Sequence, residues 1–250
     1  MPTVRSGGTV VSWEEIGAAD GRPVLVVHGF ASNSAQNWRR SGWETALADA
    51  GLRGIAVDLR GHGSSARPAG PDNYRAALLV TDLVAVLDAA GADEAGYLGY
   101  SLGSRLGWML ALAQPRRVRR LVLGGFGPTS PLAEVDLEAA RAAVFRGTPI
   151  LHPPTAALVS QASLVPGNDV GVLLDVAEGV GRDTVSVLPA DPAPAAPMCI
   201  VNGDRDTIAA GGEALARAVG AHFVPVAGRS HTSAVSSRTF KEAATAWLTR

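Results

Sequence analysis

The pentapeptide Gly99-Tyr100-Ser101-Leu102-Gly103 joins a strand-like run, Ala95-Gly96-Tyr97-Leu98, to an apolar helix-like run that starts at Leu102. A serine between two glycines on so tight a turn is presented rather than packed, because the positions two residues either side have no room for bulk. With 29 glycines in the chain, the pattern would arise by chance in about one such sequence in five, so its flanks must carry the inference. They do: Leu102, Leu106, Met109, Leu110 and Ala113 recur at helical spacing, and Pro115 ends the run.

A serine hydroxyl attacks a carbonyl only when a base takes its proton and a third group orients that base. Five histidines are available. His28 and His62 precede Ser101, His152 lies in a later segment without strands, and His222 begins a strand. His231 sits in Ala227-Gly228-Arg229-Ser230-His231, directly after the last apolar strand, and ligands of open α/β sheets gather at such carboxyl ends. The same placement selects the loop Asn202-Gly203-Asp204-Arg205-Asp206 as the source of the acid, with Asp204 and Asp206 both on offer. The order along the chain is then serine, aspartate, histidine.

Those loops need strands to carry them. Short β-branched runs (Thr9–Ile16, Pro23–Val27, Gly54–Leu59, Val118–Leu123, Met198–Asn202, His222–Val226) alternate with helical patterns at Trp38–Ala50, Tyr74–Ala90 and Phe240–Leu248. Such alternation predicts an α/β domain, a mostly parallel twisted sheet flanked by helices. Between residues 128 and 197 the alternation stops, and helical patterns such as Leu132–Phe145 and Val170–Ala177 replace it. We expect one domain, with a core of residues 1–127 and 198–250 and a helical lid insertion of residues 128–197. The insertion should be lined by Leu132, Val135, Phe145, Ile150, Leu151, Leu158 and Leu164 and close through the proline-rich return Pro189–Pro197.

These motifs resemble the serine α/β-hydrolase family. The resemblance rests on Gly99-Tyr100-Ser101-Leu102-Gly103, Gly203-Asp204-Arg205-Asp206 and the late His231. It extends through Val26-Val27-His28-Gly29-Phe30 and Asp58-Leu59-Arg60-Gly61-His62-Gly63-Ser64-Ser65, over almost the whole chain except the insertion. It implies the α/β-hydrolase fold and a Ser101–His231–Asp206 triad, with Asp204 as the alternative acid. It also implies an oxyanion hole in which the N–H of Phe30 joins that of Leu102, the residue after the nucleophile. In this light His28, Asp58 and Arg60 brace loops rather than touch substrate. Arg105, Arg146 and Arg182 would suit a carboxylate-bearing substrate if they faced the site, but as helix residues they read as solvated surface.

A formal charge of −1 provides no field to draw in nucleic acid or an anionic membrane. Arg116, Arg117, Arg119 and Arg120 form the one basic cluster, in a loop without interleaved aromatics, where charge simply solvates the chain. The single cysteine, Cys199, lies in a strand-like apolar run, and a lone cysteine leaves no disulfide framework. No signal peptide and no apolar window long enough for a membrane span is visible, so a cytoplasmic protein, monomer or homodimer, is expected. No metal-ligand spacing or Gly-x-Gly-x-x-Gly stands out, so neither metal nor cofactor is called for.

The expected activity is hydrolysis of small or medium, largely apolar carboxylic esters through an acyl-enzyme on Ser101. Carbon-carbon, amide or lactone hydrolysis, acyl transfer and perhydrolysis use the same groups, and a ligand receptor on this scaffold is the non-enzymatic alternative. Serine at position 101 argues against dehalogenase or epoxide hydrolase chemistry, which the family performs with aspartate there. Since the base must be neutral, hydrolysis should rise with pH through histidine's ordinary range, about 6.5. A rate flat from about pH 5 to 8 would remove histidine from the mechanism.

Overall fold

Val24 to Val27 are apolar at every position because both faces of their strand are covered: Val24 and Val26 enter one layer of side chains, Leu25 and Val27 the other. The computed structural model describes residues 1–183, 187 and 191–250. Among them β1 (Thr3–Ser6), β2 (Thr9–Gly17), β3 (Arg22–Val27), β4 (Leu52–Asp58), β5 (Ala95–Tyr100), β6 (Val118–Gly124), β7 (Met198–Gly203) and β8 (His222–Val226) form one sheet. Its order is β1-β2-β4-β3-β5-β6-β7-β8. β2 pairs antiparallel with β1 and β4, and all other neighbours run parallel. Short or interrupted strands form both edges: β1 has four residues, and β8 contains Pro225.

Helices α1 (Trp43–Asp49) and α8 (Arg238–Leu248) cover one face through Trp43, Leu47, Phe240 and Leu248. Helices α2 (Ala76–Ala89), α3 (Leu102–Ala113) and α7 (Gly212–Val219) cover the other through Leu79, Leu83, Leu106 and Leu215. The chain reverses its direction of travel across the sheet between β3 and β5, which opens a crevice beyond their carboxyl ends. Between β6 and β7 lie α4 (Leu137–Arg146), α5 (Pro153–Leu164) and α6 (Val170–Gly181), with no strand among the described residues of 128–197. Asp136 and Asp169 cap α4 and α6 by accepting from Ala139 N and Val172 N. No helix among the described residues is long and apolar enough to cross a membrane.

Several local boundaries differ from the sequence pattern. The single helix expected over Trp38–Ala50 is a π-turn at Ala35–Arg39 followed by α1, separated at Gly42, whose φ of 78° ends any right-handed helix. The pattern Leu132–Phe145 likewise splits into a 3-10 turn at Pro131–Glu134 and α4, because Asp136 is extended to serve as the cap. The β1–β2 hairpin, turning on Gly7 and Gly8, and the short α7 were not anticipated. Of the proline-rich return Pro189–Pro197, residues 189 and 190 lie outside the described set, and Asp191–Pro197 is irregular as expected.

One ion pair is enclosed by the fold. Arg60 donates through Nε and Nη2 to the two carboxylate oxygens of Asp82 on α2, both at 2.6 Å, with both side chains buried. Truncating one partner strands the other's charge in a dry interior, which typically costs about 3–5 kcal/mol. Asp82→Ala should therefore shift the urea unfolding midpoint by a loss of that size; a loss below about 1 kcal/mol would show that water reaches Arg60.

Candidate active site

β5 delivers Ser101 onto its turn with φ 54° and ψ −110°, a left-handed conformation that few non-glycine residues adopt. The turn survives because its glycines touch backbone directly. A methyl on Gly99 would lie 2.6 Å from the carbonyl of Gly103, and one on Gly103 would lie 2.2 Å from Val27 O. Ser101 is further tied by its N–H to Gly124 O at 2.8 Å.

The loops after β7 and β8 converge on it. His231 Nε2 lies 3.0 Å from Ser101 Oγ, and its Nδ1 lies 2.8 Å from Asp206 Oδ2. An ionised carboxylate only accepts, so Nδ1 carries the proton and Nε2 is left to accept from the serine. Asp206 is fixed in turn: its Oδ1 accepts from the N–H groups of Ile208 and Ala209 at 3.0 and 2.9 Å. Asp204, the alternative acid, is exposed in the same loop. Tyr100, which sequence gave no reason to single out, donates its hydroxyl to His231 O at 2.5 Å and packs its ring 5.5 Å from the imidazole.

Across from Ser101, the loop after β3 brings Gly29 so close that a Cβ would sit 3.3 Å from the serine Cβ. The N–H groups of Phe30 and Leu102 border the same cavity, and neither has an acceptor among the described residues. Three side chains hold this loop. Asn37, on the π-turn, accepts from Gly29 N with Oδ1 at 3.3 Å. His62 Nε2 accepts from Ala31 N at 3.1 Å and supports that residue's positive φ of 59°. His28 Nε2 accepts from Leu59 N at 3.1 Å while its Nδ1–H donates to Gly29 O. The segment Asp58–Ser65 is a bracket as well: Asp58 accepts from Ser34 N and Ser64 N, both at 2.8 Å.

The cavity above Ser101 measures about 670 Å³, within the range of small-molecule sites. Leu132, Val135, Leu158 and Leu164 line it, whereas Phe145 and Leu151 are exposed away from it. Arg105 departs from the sequence expectation. It is buried at 7% exposure and borders the cavity, because α3 lies between β5, β6 and α2 and has no solvated face there. Arg146 is exposed at the end of α4, and Arg182 pairs with Asp72 and Glu178 near the surface. Cys199 is buried in β7, where desolvation pushes its thiol up to about 12. Among the described residues no group of three or more metal-ligating side chains occurs.

Comparison with known proteins bears on the family and the fold. The model of the alpha/beta hydrolase fold family matches residues 22–154. Epoxide hydrolase 3 of Siraitia grosvenorii is 34% identical over 120 residues, which are 48% of this chain and 36% of that protein. Epoxide hydrolase B of Mycobacterium tuberculosis is 32% identical over 207 residues, 73% of this chain and 57% of that one. The chain thus spans about a third to just over half of these relatives' length. Two solved structures share the fold throughout. An enol-lactonase from Burkholderia xenovorans LB400 superposes with a TM-score of 0.79 at 21% identity over 100% of both chains. A thermophilic esterase from Thermogutta terrifontis gives 0.77 at 22% identity over 99% of this chain and 97% of its own.

The bracing histidines make the loop sensitive to acid. Burial pulls His28 down to about 4, and burial together with the His28 ring pulls His62 to about 3, so both are neutral in the fold. Unfolded, each would take up a proton near histidine's ordinary value. Stability should therefore be level above about pH 6.5 and fall below it by up to about 1.4 kcal/mol per pH unit for each histidine, until the folded values are reached. Urea unfolding between about pH 7 and 5 measures the slope, which should be shallower in His62→Gln; an unchanged slope would detach His62 from the effect.

Proposed function

We propose that this chain, which belongs to the alpha/beta hydrolase fold family, is a serine hydrolase that cleaves carboxylic esters through an acyl-enzyme on Ser101. The observation that carries the proposal is the continuous hydrogen-bonded line from Ser101 Oγ through His231 to Asp206, at 3.0 and 2.8 Å. In the first step Ser101 Oγ attacks the ester carbonyl while its proton passes to His231 Nε2. The resulting imidazolium, held by Asp206, protonates the departing alcohol. Water then attacks the acyl carbon while giving a proton to the same Nε2, and His231 returns that proton to Ser101 Oγ as the acyl bond breaks and the acid leaves. The N–H groups of Phe30 and Leu102, without an acceptor among the described residues, suit the transient oxyanion, and one such donor is typically worth about 3 kcal/mol of barrier. Helices α4 to α6 act as the lid, with Leu158 and Leu164 of α5 facing the substrate.

Several relatives are named epoxide hydrolases, and the chemistry of the nucleophile weighs against extending that activity here. A carboxylate opened onto an epoxide gives an ester that water can cleave. A serine would give an ether, which water does not cleave under these conditions, and the enzyme would stop after one turnover. Acyl transfer to serine forms an ester, so turnover can continue.

The test is the initial rate on p-nitrophenyl esters of increasing acyl length, with styrene oxide in parallel. Turnover of esters, reduced in kcat by about 10⁶ in Ser101→Ala, is the expected result. Turnover of the epoxide alone, or ester cleavage that survives the substitution, would overturn the proposal.

A further inference from the structure

Two arginines are buried among the described residues, and they are treated differently. Arg60, 2% exposed, is matched by the carboxylate of Asp82. Arg105, 7% exposed, forms no ion pair among the described residues. Its Nη2 donates to the backbone carbonyls of Gly127, at 3.1 Å, and Thr129. Its guanidinium also lies over the Phe126 ring, 5.5 Å from the centroid. Two carbonyl dipoles and a ring face do not neutralise a cation, and a guanidinium has five N–H donors. The donors of Nε and Nη1 have no protein acceptor among the described residues, although the side chain borders the cavity.

Its place on the helix sets what it can reach. Arg105 follows Ser101 by four residues, with its N–H bonded to Ser101 O at 3.2 Å, so it stands about one helical turn along α3 from the residue that opens the helix. Helical side chains lean toward the N-terminus, which turns Arg105 toward the serine rather than away from it. A buried guanidinium without a carboxylate partner among the described residues, bordering the cavity one helical turn from the nucleophile, has donors to offer an anion.

We infer that Arg105 is a specificity-determining residue that binds a carboxylate of the substrate, so that the preferred esters or lactones carry a second, unreacting carboxylate beside the scissile carbonyl. The inference rests on the proposal that Ser101 is the acyl acceptor, and it names the substrate class of that site. The carboxylate accepts from Nε and Nη1, and the opposite charges of the two partners make those bonds strong. Neutral esters of equal length would enter but leave the cation unanswered.

The test compares kcat/KM for the mono-p-nitrophenyl esters of succinate, glutarate and adipate with chain-matched p-nitrophenyl butyrate, valerate and hexanoate. The wild type should favour one diacid half-ester over its neutral match by about tenfold to a hundredfold, the scale of a charge-assisted hydrogen bond. Arg105→Met should collapse that ratio, and Arg105→Lys should recover part of it. Because Arg105 also tethers Gly127 and Thr129, a measurement on the wild type stands independently: glutarate should inhibit neutral-ester hydrolysis at a concentration at least about tenfold below glutaramide. Equal use of charged and neutral esters, equal inhibition by acid and amide, or an unchanged ratio in Arg105→Met would overturn the inference. None of these outcomes touches the role of Ser101, which neutral-ester turnover and Ser101→Ala decide separately.

Discussion

The first turn of α3 rests on bare backbone. Gly103 sits where any side chain would strike the last carbonyl of β3, and Gly99 sits where one would strike Gly103 itself. This contact draws two neighbouring strands and the start of a helix into one point, and everything chemical in the molecule is measured from it. Ser101 is forced outward, Gly29 comes to within van der Waals range of it, and Arg105 lands one turn further along. A methyl group at either glycine would meet backbone closer than any real Cβ does, so these parts would have to move apart.

The groups with the most familiar catalytic chemistry mostly build the site rather than operate in it. A neutral imidazole offers one donor and one acceptor, so it can join an N–H to a carbonyl across a gap where no secondary structure runs. His28 and His62 do this for the loop that carries Phe30, and their rings meet edge to face at 5.1 Å. Asp58 serves neighbouring backbone N–H groups in the same way. His231 is distinguished from them by its surroundings: it borders the cavity, and one of its nitrogens meets a hydroxyl instead of the backbone.

How much of this was legible depended on whether the signal was local. The apolar run of β3, the glycine-flanked serine and the late histidine each announce themselves within a few residues, and the sheet's topology then fixes where they meet. Asn37 gave no sign, because its value comes from a π-turn that sets its amide beside Gly29, and nothing in Ala35–Arg39 marks such a turn. β1, with four residues, was too short to show alternation, so its hairpin with β2 went unseen. Arg105 was misjudged for an instructive reason. A charged residue on a helix is assigned to water when the helix has a wet side, and from Leu102 to Trp108 every residue of α3 is buried. Periodicity cannot distinguish a face when all faces are covered.

The two edges of the sheet bear on how the molecule behaves in a crowded solution. An open strand edge is a template on which a second chain can add, and long flat edges are where fibrils and swapped dimers begin. β1 ends after four residues, and Pro225 deprives β8 of one of the donors an incoming strand would need. The same eight strands that gather the reactive loops at one end are thus finished at their sides. The protein can carry a wide, largely parallel sheet without inviting copies of itself to extend it.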